Sequence, residues 1–367
     1  MIDRDNIFIV FPYLCLLFIG LVMVASSSVY VSEDIYGAPF HFASRQVIFF
    51  IIGVAAMIIA LSIPSNLLLT LDWIILLGSL ILLIALFVPG VGTEVNGSLR
   101  WIRIGPINIQ PSEVSKLALI IYISGYCVRR LGEINTSLGF FRPLLVLAIF
   151  GLLILSQPDL GSTLVIGALV IAILFFAGIS FSQFLLLLSL MGILTVVAIY
   201  FEPYRYLRFI SFTEPFEDFR GAGWQLSNAL LGIGRGEWFG IGLGNSLQKN
   251  LYLPEPHTDF IFAVIVEEFG LIGGLIVILL FAVLIFGIIK TSIKALELGK
   301  LFQGFLVFGA GILIAIQASF NIGVNLGILP TKGLTLPFIS YGGTSLILFM
   351  FLMGVVLRIN FENKTIK

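Results

Sequence analysis

The chain has 367 residues, 59% of them hydrophobic and only 11% charged, with twenty cations against twenty anions. Soluble domains carry about 25% charged residues, so a soluble enzyme is excluded, and zero net charge leaves no basic field for nucleic acid. Cys15 and Cys127 lie far apart inside apolar runs, which reads as two small buried hydrophobes and not as a disulfide or a metal pair.

The opening MIDRDN leads into an apolar run over 7–29 with no small-residue cleavage site, the pattern of an uncleaved first span. A hydrocarbon core of about 30 Å takes about 20 helical residues. On that scale the next spans are expected at 46–63 and 66–89, joined by the tight turn Ile63-Pro64-Ser65. The polar segment PGVGTEVNGSLRWIRIGPINIQPSE follows, then spans at 113–128, 142–156, 162–178 and 183–201. One long polar stretch, 202–258, precedes the last three spans at 259–289, 302–326 and 343–358. The expected fold is therefore an all-α polytopic membrane protein of about ten transmembrane helices, one membrane domain over 1–367 with a large loop between helices 7 and 8.

Lys and Arg in short loops set the orientation. With the N-terminus inside, the cytoplasmic side receives Arg4, Arg129, Arg130, Arg142, Lys290, Lys294, Lys300, Arg358, Lys364 and Lys367, and the outer short loops only Arg45, Arg100, Arg103 and Lys332. Both termini are thus expected in the cytoplasm and the large loop outside, in the periplasm; its Arg205, Arg208, Arg220, Arg235 and Lys249 count little because the loop is long. Within it SNALLGIG reads as a helix. The following GRGEWFGIGLGN shares only its glycine count with a phosphate-binding loop, lacking the strand before and helix after that nucleotide folds need.

Ionisable groups in or beside spans are the places to look for chemistry. Asp259 ends the loop and opens the eighth span. It reads both as a helix N-cap and as an ionised base, roles that are compatible. His257 stands two residues before it, incidental or hydrogen-bonded to Asp259 or a substrate. Glu113 and Lys116 in QPSEVSK share a helix face, either as a mutually neutralising pair or lining a polar cavity. Asp159 in SQPDLGST is turn or cap chemistry, or a site residue. Glu267 and Glu268 are turned by about 80° and about 180° from Asp259 on a straight helix, which points Glu268 away from any cavity that Asp259 faces. Arg205, Arg208, Lys249 and Lys332 flank membrane edges on the Asp259 side: lipid-headgroup contacts, or ligands for a phosphorylated substrate. Trp101, Trp224, Trp238, Tyr204 and Tyr252 fit an interfacial aromatic belt, with sugar stacking open for one or two of them.

NGSLRWIRIGPINIQPSEVSK, SQPDLGST, PYRYLRFISF, GLGNSLQKNLYLPEPHTDFIFAVIVEEFG and ILPTKGLTLPFISYGGTS together resemble, in order and over nearly the whole chain, the SEDS family of bacterial cell-wall polymerases. GNSLQK and PTKGLTLPFISYGG are similar to the division branch of that family rather than its elongation branch. The resemblance implies ten spans with cytoplasmic termini in the bacterial inner (plasma) membrane at the septum, and polymerisation of lipid II into β-1,4 glycan strands with release of undecaprenyl diphosphate. It implies Asp259 as the essential outer acid and general base. Trp101, Glu113, Lys116 and Asp159 match other polar or aromatic family positions; Arg205, Arg208, Lys249, His257 and Lys332 are further substrate-side candidates. No protein metal cage is expected, although a divalent cation, Mg or Mn, shared between Asp259 and the diphosphate fits. Implied partners are lipid II and the nascent glycan strand, the class B penicillin-binding protein FtsI, and the FtsQ–FtsL–FtsB and FtsN regulators. The extensions beyond the first and last spans are short, so no partner is expected on a long N-terminal tail. Two other classes fit ten spans with embedded acids: a lipid II flippase or carrier, and a scaffold that only recruits partners.

Overall fold

The computed structural model describes residues 4–95, 98–105, 107–217, 221 and 223–365. Arg220, Lys367 and the first three residues of MIDRDN lie outside them. In chain order the helices are α1 (Arg4–Tyr36), α2 (His41–Ser62), α3 (Ser65–Thr70), α4 (Asp72–Ala85), α5 (Pro111–Arg129), α6 (Ser137–Leu155), α7 (Leu160–Phe176), α8 (Phe181–Tyr200), α9 (Pro203–Thr213), α10 (Trp224–Gly236), α11 (Ile261–Glu297), α12 (Leu301–Asn325) and α13 (Gly343–Thr365). Strands β1 (Gly92–Val95), β2 (Ser98–Ile104) and β3 (Ile107–Ile109) form an antiparallel sheet of order β1-β2-β3.

All ten apolar stretches are helical. α1, α2, α6, α8, α11, α12 and α13 are long and apolar enough to cross a membrane; α4 and α7 are shorter. α5 carries Glu113, Lys116 and Arg129 on an otherwise apolar helix. The third expected span is broken into α3 and α4 at Leu71. Beside the break, buried Asp72 pairs with Arg129 at 2.6 Å. Pro111 and Pro203 open α5 and α9, where the missing N–H costs nothing.

The chain folds as two compact units, each assembled from three segments. One comprises Ile52–Thr195, Ile288–Ile316 and Gly343–Lys367. At its centre α5 is buried over most of its length and packs on α4 and α7. Its sheet occupies the polar segment between the third and fourth expected spans. LRWIRI is rich in the β-branched and aromatic residues that suit a strand, and β2 pairs Trp101 with Thr93 and Ile102 with Ile109. Thr344 ties the sheet to α13, accepting from Gln110 N (3.2 Å) and donating to Asn108 O (2.7 Å).

The other unit comprises Met1–Ile51, Val196–Gly287 and Gln317–Gly342, and holds the large loop. That loop is structured: α10 covers SNALLGIG as expected, and α9 adds an amphipathic helix with Tyr204, Leu207 and Ile210 exposed. Its last turns, 253–260, run straight into α11.

Candidate functional site

Asp259 is the last polar residue before α11 and is half-buried. The turn that carries it is fixed by the 334–341 segment and by α12. Tyr341 N donates to His257 O (2.8 Å), and Ser340 Oγ to Thr258 O (2.6 Å). The Asp259 carbonyl accepts from Asn321 Nδ2 and Asn325 Nδ2, both at 2.9 Å. Asn325 Oδ1 in turn accepts from Ala263 N at 2.9 Å, a donor it shares with Phe260 O (3.1 Å), so α12 helps satisfy the α11 start. The Asp259 carboxylate leans on Gly333: a Cβ built there would stand 3.0 Å from Oδ2. Lys332, the neighbouring residue, is half-buried.

His257 does not face a substrate space. It is buried, its ring 4.4 Å from that of Phe42 and 5.5 Å from that of Tyr341, and its Nδ1 has no partner. Burial holds its pKa below the ordinary 6.5, with Glu255 pulling weakly the other way.

Glu267 and Glu268 are fully buried and serve the loop. Glu267 accepts from Ser246 Oγ, from Leu247 N (3.1 Å) and from Gln248 N (3.4 Å). Glu268 pairs with Lys249 Nζ at 2.9 Å and accepts from Ser26 Oγ of α1 at 2.8 Å. Lys249 also donates to Ser26 Oγ (3.1 Å) and is only 3% exposed. The sequence placed Lys249 among the diphosphate ligands; the structure commits its ammonium to an acid that must be neutralised inside the fold.

The glycine-rich segment has its reason here too. α11 breaks at Gly270, whose φ of 71° and ψ of −175° suit glycine alone. Two N–H groups of the segment bond to α11 carbonyls: Ile241 to Glu267 O (3.1 Å) and Gly242 to Glu268 O (3.0 Å). Two of its carbonyls accept from α11: Glu237 O from Leu271 N (2.8 Å) and Trp238 O from Ile272 N (3.3 Å). A Cβ at Gly236 would strike the Val266 carbonyl, and one at Gly240 the Glu268 carbonyl. Unpaired backbone is intolerable at membrane depth; the loop pairs it.

Arg205 and Arg208 lie on α9. Arg205 Nη1 donates to Ala198 O (3.1 Å), and the Arg208 guanidinium sits 4.5 Å over the Tyr204 ring. Arg208, Tyr204, Leu207, Trp224, Gln225 and Pro254 line a groove of about 600 Å³.

In the other unit, Glu113 and Lys116 form a buried ion pair one turn into α5. Asp159 caps α7, accepting from Ser162 N at 3.0 Å. Arg100 donates to the carbonyls of Gln157 (3.3 Å) and Pro158 (2.6 Å), joining β2 to the SQPD turn. Trp101 is half-buried on β2.

Missed by the sequence reading were Asn321, Asn325, Ser246 and Ser26. Only the two asparagines carried a signal: amides four residues apart inside an apolar span.

The profile of the FtsW, RodA and SpoVE cell cycle proteins matches residues 6–365. Among relatives, the probable peptidoglycan glycosyltransferase FtsW of Aliivibrio salmonicida is 47% identical over 363 residues, 99% of this chain and 90% of that one. Its counterpart from Marinomonas mediterranea is 44% identical, over 98% of this chain and 89% of that one. Among solved structures, a chain of a peptidoglycan synthase complex that coordinates polymerization and crosslinking superposes with a TM-score of 0.77 at 26% identity, covering 96% of this chain and 98% of that one. The rod shape determining protein RodA of Thermus thermophilus gives 0.71 at 26% identity, covering 97% and 96%.

Proposed function

The chain belongs to the FtsW, RodA and SpoVE family of cell cycle proteins, and from that premise we propose that it is a peptidoglycan glycosyltransferase that polymerises lipid II into β-1,4 glycan strands at the division septum. The observation that carries the reading is Asp259: a half-buried carboxylate at the mouth of α11, on a turn pinned from two sides.

The 4-hydroxyl oxygen of the lipid II GlcNAc attacks C1 of the MurNAc at the lipid-linked end of the strand. The new C–O bond forms as the bond from C1 to the diphosphate breaks. Asp259 takes the hydroxyl proton, and undecaprenyl diphosphate leaves with the electron pair. An α linkage becomes β, so one in-line displacement with one general base is enough. The leaving group needs charge stabilisation more than a proton. Lys332, next in sequence to Gly333, and Arg205 and Arg208 on α9 are the candidate cations for it, Lys249 being paired with Glu268. Among the described residues no three His, Cys, Asp or Glu stand together as a metal cage. Were a divalent ion, Mg or Mn, bound, Asp259 would hold it and the ion would stabilise charge on the leaving diphosphate.

Glu113, Lys116, Asp159 and Trp101 are proposed as further substrate-binding residues. The helices would make ten spans in the inner membrane with both termini cytoplasmic and the α9–α10 loop outside. Polymerisation of this kind needs a crosslinking partner, here a class B penicillin-binding protein such as FtsI, under FtsQ–FtsL–FtsB and FtsN; the likeness to a chain of a synthase complex supports the first of these.

The test is lipid II polymerisation by the purified protein in detergent, with and without the transpeptidase. Asp259→Asn is expected to lower the rate by about 10²–10⁴-fold, the usual contribution of a positioned base, while its unfolding midpoint stays that of the wild type. Normal strand synthesis by the variant removes Asp259 from the reaction.

A further inference from the structure

Gln317, Asn321 and Asn325 recur every four residues on α12 and share one face. All three are buried. Their amides carry a full set of partners. Asn321 Nδ2 has two protons and donates to Asp259 O (2.9 Å) and Leu334 O (2.6 Å), one on each loop. Asn325 Nδ2 donates to Asp259 O (2.9 Å) and Asn321 O (2.8 Å), while its Oδ1 accepts from Ala263 N (2.9 Å). Gln317 Nε2 reaches Thr335 O and Oγ1, both at 3.3 Å. Turning either asparagine amide over would set its oxygen against carbonyl oxygens, so the orientation is dictated by the partners. α6 and α7 are capped locally, by Thr136 and Asp159. α11 instead receives a cap from a second helix that also grips the second loop.

We infer that Asn321 and Asn325 are positioning residues: they bind the main chain of Asp259 to the 333–335 loop, setting its carboxylate against Gly333. One bridge runs through Asn321, whose two amide protons serve the two loops, beside the Ser340 and Tyr341 links. Gly333 completes it, since any Cβ there would crowd Oδ2. The consequence for catalysis rests on the reading of Asp259 as the base; the coupling of the two loops does not.

The experiment uses the full chain in detergent. Backbone hydrogen exchange is followed in 253–263 and 329–337, and kcat and KM in lipid II polymerisation. Asn321→Leu, close to isosteric, is expected to accelerate exchange in both segments together, by about tenfold or more. It should lower kcat by about 10²-fold, the scale of an ångström's misplacement, with KM held within about twofold. Gln317→Leu, which loses the bonds to Thr335, should loosen 329–337 more than 253–263. Exchange that changes in only one segment of Asn321→Leu, or an unchanged kcat, overturns the inference. Should Asn321→Leu fail to fold, Gly333→Ala takes its place: it must lower kcat without lowering the unfolding midpoint, and full activity overturns the inference. If Asp259→Asn proves fully active, the base reading falls, and the exchange data still decide whether one amide couples the loops.

Discussion

Asp259 and Glu268 stand on one stretch of chain, and the fold treats their carboxylates in opposite ways. Around Glu267–Gly270 everything is consumed. The side-chain oxygens bind Ser246, Leu247, Gln248, Lys249 and Ser26, and the backbone exchanges four hydrogen bonds with 237–242. Around Asp259 the main chain is consumed just as fully, yet the residue is only half-buried, with its carboxylate against a glycine. Position along the stretch therefore does not by itself sort its acids. What separates them is access: Glu268 is sealed inside the fold, while Asp259 keeps part of its surface open.

That contrast makes the two regions separable by measurement. Glu268→Gln or Lys249→Met should each cost about 3–5 kcal/mol, because either leaves a buried charge unpaired, while a Lys249→Met, Glu268→Leu double variant should recover much of the loss. Denaturant titration in detergent reads this, and Asp259→Asn should not move the midpoint in the same assay. A Glu268→Gln protein as stable as wild type yet inactive would break the comparison. Next in size, Gly270→Ala should destabilise by about 1–3 kcal/mol through its backbone conformation alone, and somewhat more because the new Cβ meets the Trp238 carbonyl; its midpoint against that of Gly234→Ala, a helical glycine with open space at its Cβ position, gives the difference.

The smallest effect concerns His257. Its folded pKa lies below the ordinary 6.5 because it is buried. Below that pH the unfolded chain takes up the proton first. The stability that His257 contributes is therefore complete above 6.5 and is lost as the pH falls beneath it. The groups around it are Glu255, which opposes the shift, and Tyr341, itself raised by burial beside Arg45. The midpoint of the wild type should fall between about pH 7.5 and about pH 5.5, and His257→Phe should flatten that fall. An equal slope in both proteins would remove His257 from the balance.

Much of the helical framework was legible in the sequence, since apolar runs of span length have few alternatives in a bilayer. Asp159 as a cap and SNALLGIG as a helix were legible from local chemistry. The sheet was not: its short strands hide among Gly, Pro and Asn, and LRWIRI, with arginines three apart, lacks a period of two. Lys249 was misread because a lysine in a polar loop gives no sign that the loop folds back over a buried glutamate. Glu267 and Glu268 could be recognised as expensive but not assigned partners, because Ser26 is distant in sequence. The glycines of GRGEWFGIGLGN became intelligible only when the carbonyls they approach were seen. For the candidate site the sequence identified the acid; the amides that hold it were overlooked within a hydrophobic run.

The two-for-two pairing between 237–242 and the interrupted helix has an evolutionary corollary. Ordinary surface connections absorb an added or missing residue at small entropic expense. Here a single deletion would slip the register and strand four peptide groups together, away from water. This hexapeptide should therefore keep its length while its exposed side chains, Trp238 and Phe239 among them, are free to drift.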